Sequence, residues 1–87
     1  MSYELFIEHR AEKDLKKLEP VLFNLIIAEI KNLSENPHPH NSKKIVGSKN
    51  DWRLKIGDYR VLYEIDNRNR VIKIMKAKHR REVYRNN

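Results

Sequence analysis

Gly57-Asp58 lies in the middle of the run DWRLKIGDYRVLY, residues 51–63, in which apolar and polar side chains alternate on both sides of it. Alternation at a period of two marks a strand with one covered face. Two such runs joined by two residues form a hairpin, and glycine in the first loop position suits a type II′ turn. A loop of that length sets the register of the strands it joins. Ile56 then faces Tyr59, Lys55 faces Arg60, Leu54 faces Val61, and Trp52 faces Tyr63.

Trp52, Leu54, Ile56, Tyr59, Val61, Tyr63 and Ile65 share one side of the hairpin, and that apolar side needs a cover. The other side carries Arg53, Lys55, Arg60, Leu62 and Glu64. Like charges directly opposite on an antiparallel pair destabilise it. Glu64 within reach of Arg53, and Asp58 in the turn, offer partial compensation. A solvated basic surface is the plain explanation. The alternative is that the cations hold an anion. Arginine grips phosphate through a planar fork, and lysine adds a point charge. Cations around a lysine also disfavour its protonated form, which is one way to prepare a general base beside an anion.

Upstream, YELFIEH alternates with Tyr3, Leu5 and Ile7 on one side and reads as a short strand. From Arg10 the spacing becomes helical. Ala11, Leu15 and Leu18 form one stripe, and Pro20 falls where it suits the first turn of a second helix. Leu22, Leu25, Ile26, Ile30 and Leu33 give that helix a broad apolar face, with Glu29 as its polar intruder. SENPHPHNSKK is turn and loop chemistry, and KIVG is a short strand or turn. Asp66, Asn67 and Asn69 mark another turn. VIKIMKAKH is a strand with apolar residues on both sides, as in a central strand covered twice. The predicted fold is α+β in the order β-α-α-β-β-β, with a two-helix hairpin packed on one face of an antiparallel sheet. One domain spanning residues 1–87 is expected.

The net charge of +7 is unevenly spread. Residues 1–44 balance seven Lys/Arg against seven Asp/Glu, whereas residues 45–87 hold twelve against five. Basic charge confined to one half points to a polyanion or an acidic protein partner. Lys78, His79, Arg80, Arg81, Tyr84 and Arg85 form a second basic group, with an aromatic suited to base stacking. Packing of Tyr84 at the sheet edge is the bland alternative. There is no cysteine, which excludes disulfides and thiolate metal sites. His38 and His40 flank Pro39 with no third ligand nearby in sequence, which argues against a metal site. Glycine-rich phosphate loops, paired carboxylates and Ser-His-Asp patterns are missing, so no cofactor is expected. The opening MSYELFIEHR lacks the regions of a secretory signal, and no apolar run has membrane-spanning length. The expectation is a cytoplasmic protein away from membranes.

WRLKIGDYRVLYEI followed by KHRREVYR resembles the RelE/ParE superfamily of toxin–antitoxin toxins, over nearly the whole chain. The resemblance implies a RelE-like microbial RNase fold and, from the basic residues, a metal-independent endoribonuclease that cleaves mRNA in the ribosomal A site. Lys55 matches the lysine taken as general base for the attacking 2′-hydroxyl, and Arg53 stands where a second lysine often occurs. Arg60 matches the arginine that stabilises the pentavalent phosphate. Arg80 matches the later arginine, assigned to protonate the leaving 5′-oxygen, with Lys78 and Arg81 as alternatives. Tyr84 matches the tyrosine that orients or stacks the nucleotide, and Lys78, His79, Arg81 and Arg85 would contact RNA. The implied partners are a RelB-like antitoxin, the ribosome and mRNA, with operator DNA bound through the antitoxin. ParE-like members share the GDYRVLYEI hairpin and act on DNA gyrase. A gyrase poison is therefore the second reading, and a non-catalytic RNA-binding module the third.

Overall fold

The structure, a computed structural model, describes residues 2–83. Its elements follow the predicted order, with one more strand and a short terminal helix. They are β1 (Glu4–Ile7), α1 (His9–Lys16), α2 (Pro20–Leu33), β2 (Ser42–Lys44), β3 (Asp51–Ile56), β4 (Tyr59–Asp66), β5 (Val71–His79) and α3 (Arg80–Val83).

Pro20 opens α2 at its first position, where a missing N–H costs nothing, and the Glu19 side chain accepts the Val21 N–H at 3.2 Å. The two helices therefore follow each other almost without a loop. Ala11 and Leu15 of α1 are buried, as are Ile26, Ile30 and Leu33 of α2. Each fully buried isoleucine or leucine contributes roughly 1.5–3 kcal/mol relative to exposure. Leu25 departs from the expectation: it is 50% exposed, beside Val21 at 74%. The covered stripe of α2 runs through residues 22, 26, 30 and 33, and Leu25 sits a quarter-turn away from it.

The sheet has the order β1-β5-β4-β3-β2. The β3–β4 register agrees at every predicted pair, including Lys55 opposite Arg60. Gly57 has φ 56° while Asp58 keeps a negative φ, the pattern of the predicted turn. The sheet is mixed, which corrects the expectation of a wholly antiparallel one: β1 pairs parallel with β5, and the other ladders are antiparallel. The helices carry the chain from β1 to the far edge of the sheet. Three reversals from β2 then bring β5 back beside β1 in the same direction.

A second correction concerns β5. Tyr63 pairs with Ile74 but Leu62 with Lys76, so Met75 is an extra residue and the phase of β5 flips there. Ile72, Ile74 and Ala77 consequently all face the helices, although their spacing looks two-sided in the sequence. The edge beyond β3 is filled by β2, which overlaps KIVG only at Lys44; Val46 and Gly47 form a turn, with Gly47 at φ 87°. Tyr63 is fully buried and its hydroxyl donates to the Pro37 carbonyl at 2.7 Å, anchoring the loop before β2; burial pushes its phenol above the usual range. Among the described residues, no helix is long and apolar enough to cross a membrane.

Candidate functional site

The helices cover one face of the sheet, and the pairing register defines what stands on the other. Lys43, Arg53, Leu62 and Lys76 form one cross-strand row. Lys55, Arg60 and Lys78 form the next, toward the Gly57-Asp58 turn. Asp51, Glu64 and Lys73 form a third row at the opposite end, where Lys73 lies 3.6 Å from Glu64. The carboxylates of these rows, Asp51 and Glu64, thus sit at the end away from the turn, and the two rows nearest the turn are cationic.

Residues flanking a two-residue turn exchange both hydrogen bonds, and the pairs then alternate. Ile56 and Tyr59 flank the turn, so Lys55 and Arg60 form a non-hydrogen-bonded pair, the kind whose side chains stand closest. Arg60 is only 6% exposed, unusual for an arginine. Its Nη1 donates to the Gly57 and Tyr59 carbonyls, each at 2.9 Å, which satisfies part of the guanidinium fork on the turn itself. Lys55 remains exposed beside it.

His40, Asn41, Ser42, Lys43, Arg53, Lys55 and Arg60 line a concavity of about 300 Å³. Four of these side chains are Lys or Arg and none is acidic, so the hollow suits an anion. Among the described residues, no group of three or more His, Asp or Glu is arranged to hold a metal ion.

The tail residues separate. Arg80 starts α3 at the turn: its N–H donates to the Asp58 carbonyl at 2.7 Å, and its Nε lies 4.0 Å from Asp58 Oδ1. Lys78 shares the face of Arg60, but its ammonium is held 2.8 Å from Asp14 Oδ1. The hydrogen bond that its ammonium donates to Asp14 raises the Lys78 pKa, with burial opposing it and the charges of Asp14 and Glu82 adding to it. His79 pairs with Tyr59, whose side faces the helices, and meets its ring edge-on at 5.5 Å. The His79 Nδ1 accepts the Arg81 N–H at 3.2 Å, and both residues line a separate hollow of about 340 Å³ with Tyr59 and Glu82. His79 and Arg81 therefore do not join the cationic rows. Tyr84 and Arg85 lie outside the described residues.

Sequence reasoning missed Asp14, His40, Asn41 and Lys43. Asp14 carried a signal: it lies among Ala11, Leu15 and Leu18 on the apolar stripe of α1, where an unpaired carboxylate would be costly. It is 7% exposed, and its Oδ2 accepts the Ala77 N–H at 3.1 Å. The other three depend on β2 pairing with β3 at a register that the loop sequence does not reveal.

A five-stranded sheet backed by two helices is the fold of RelE toxins. The RelE–RelB complex from Pyrococcus horikoshii superposes with a TM-score of 0.82 at 29% identity, over 92% of this chain and 97% of that one. The RelBE2 toxin–antitoxin complex of Mycobacterium tuberculosis gives 0.80 at 25% identity, over 91% and 99%. The RelE1 protein of Methanocaldococcus jannaschii is 34% identical over an alignment of 89 positions that covers 99% of each chain. Residues 5–84 match the ParE toxin of type II toxin–antitoxin systems, parDE. The chain belongs to the RelE/ParE toxin superfamily.

Proposed function

We propose that this toxin arrests translation by cutting mRNA in the ribosomal A site. The observation that carries the reading is the close, non-hydrogen-bonded pairing of Lys55 with Arg60 in a concavity that also holds Arg53 and Lys43. A phosphate between the two cations removes the repulsion that the bare pair suffers.

In this mechanism Lys55, in its neutral amine form, takes the proton of the 2′-hydroxyl and becomes the ammonium as the 2′-oxygen attacks the adjacent phosphorus. Arg60 and Arg53 neutralise the charge that builds on the phosphoryl oxygens. The bond from phosphorus to the 5′-oxygen breaks, and Arg80, anchored at the same turn as Arg60, gives that oxygen a proton. The products are a 2′,3′-cyclic phosphate and a 5′-hydroxyl end. No step requires a metal or cofactor. Arg80 is preferred over Lys78, which Asp14 engages, and over Arg81, which lines the other hollow. Tyr84 is assigned to stacking the nucleotide, and Arg85 to RNA contact.

The toxin is inferred to act in the cytoplasm and to be held in check by a RelB-type antitoxin, as in the archaeal and mycobacterial complexes. Operator DNA would be bound through that antitoxin. The match to ParE toxins favours a second reading, poisoning of DNA gyrase without RNA cleavage.

Mapping mRNA ends on programmed ribosomes separates the readings. Wild-type protein should cut within A-site codons, and Lys55→Ala or Arg60→Ala should remove the cuts on the time scale of the wild-type reaction, leaving at most a slow residual rate. Intact mRNA alongside gyrase-dependent DNA breaks would transfer the assignment to the second reading.

A further inference from the structure

Lys55 has no backbone partner on β4. Both of its main-chain polar groups point toward β2, because Lys55 and Arg60 form a non-hydrogen-bonded pair. Yet β2 begins at Ser42, opposite Leu54, one residue short of Lys55. The chain turns there, with the Pro39 carbonyl accepting both the Ser42 N–H at 2.9 Å and the Ser42 hydroxyl at 2.7 Å.

Asn41 closes the gap. Its carbonyl accepts the Lys55 N–H at 2.9 Å, as a ladder residue would. The reciprocal bond comes from the side chain: Asn41 Nδ2 donates to the Lys55 carbonyl at 2.9 Å. One residue thus holds both ends of the peptide framework from which the Lys55 side chain springs, and it lines the same concavity.

We propose that Asn41 is a positioning residue for Lys55: its side-chain amide replaces a missing strand N–H and fixes the root of the proposed base against the scissile phosphate. The inference rests on the nuclease reading. The amide bond lies at an exposed edge, where water replaces it readily, so its removal shifts the direction of Lys55 more than it weakens the fold. Misplacing a catalytic group by an ångström costs on the order of a hundredfold in rate.

The test is single-turnover cleavage on programmed ribosomes by wild type, Asn41→Ala, Asn41→Asp and each combined with Lys55→Ala. Asn41→Ala should lower the maximal rate about tenfold or more, with the half-saturating ribosome concentration unchanged and melting within about 5 °C of wild type. Asn41→Asp, which sets an acceptor against the Lys55 carbonyl, should fall further. In the Lys55→Ala background, followed over long incubations, the Asn41 substitutions should add less than about threefold. A wild-type rate for Asn41→Ala overturns the inference. So does a loss confined to half-saturation, which marks Asn41 as an RNA contact, or an undiminished loss in the Lys55→Ala background. If wild-type protein itself cuts nothing, the nuclease reading falls first and takes this one with it; the wild-type lane tells the two failures apart.

Discussion

The Asp14 carboxylate holds the Lys78 ammonium at 2.8 Å through Oδ1, while its Oδ2 accepts the Ala77 N–H at 3.1 Å. Strand β1 covers the outer edge of β5 only as far as Ile74, and Asp14 takes over beyond it. A single side chain of α1 therefore docks the helix, closes a strand edge and restrains one end of the cationic row.

Asp14→Ala should lower the unfolding free energy by about 2 kcal/mol, since it leaves a buried N–H and a partly buried ammonium without their acceptor. Urea unfolding curves measure this. A change under about 0.5 kcal/mol would mean that water replaces the carboxylate at little cost.

The same pair predicts a pH dependence. Lys78 has a raised pKa in the folded state, chiefly through its hydrogen bond to Asp14, so folding favours its protonated form. Its contribution is fully present below the unfolded lysine value of about 10.4 and is lost as pH climbs through the raised folded value. The stability difference between wild type and Lys78→Met should stay constant from about pH 7 to 10 and shrink above that range. Thermal melts across this series decide it, and a difference that grows with pH contradicts the assignment.

Gly57 has φ 56°, and a Cβ built there meets nothing within 4 Å. The cost of Gly57→Ala is then purely one of backbone conformation, about 1 kcal/mol or more. Gly57→Asn should cost less, because asparagine tolerates positive φ better. Equal losses from the two variants would point to a steric cause instead.

Lys43 faces Arg53 across β2 and β3, on the rim of the concavity. If both meet phosphates, Lys43→Ala and Arg53→Ala should each weaken RNA binding and reduce the slope of log affinity against log salt by about 0.7. Binding titrations at several salt concentrations report the slope. An unchanged slope for Lys43→Ala would place that residue outside the RNA path.

The hairpin was legible because its determinants are local. A two-residue loop and an alternating pattern set the register through Gly57-Asp58, and the opposition of Lys55 to Arg60 followed without knowledge of any other strand. The start of α2 at Pro20 was legible for the same reason. Leu25 was misread because hydrophobicity shows which residues could be buried, whereas the angle of the helix on the sheet selects those that are.

The remaining features depend on contacts between distant segments. The parallel seat of β1 beside β5 and the bulge at Met75 concern which strands meet and where their phases disagree. Engagement of Lys78 by Asp14, and of Lys55 by Asn41, joins residues separated by 64 and 14 positions that carry no mark of one another in sequence. The sequence by itself determined that a basic face exists and which hairpin carries it. Only the tertiary structure decided which cations share the concavity, because a charge acts through the neighbours that packing assigns to it, and those neighbours are not its neighbours along the chain.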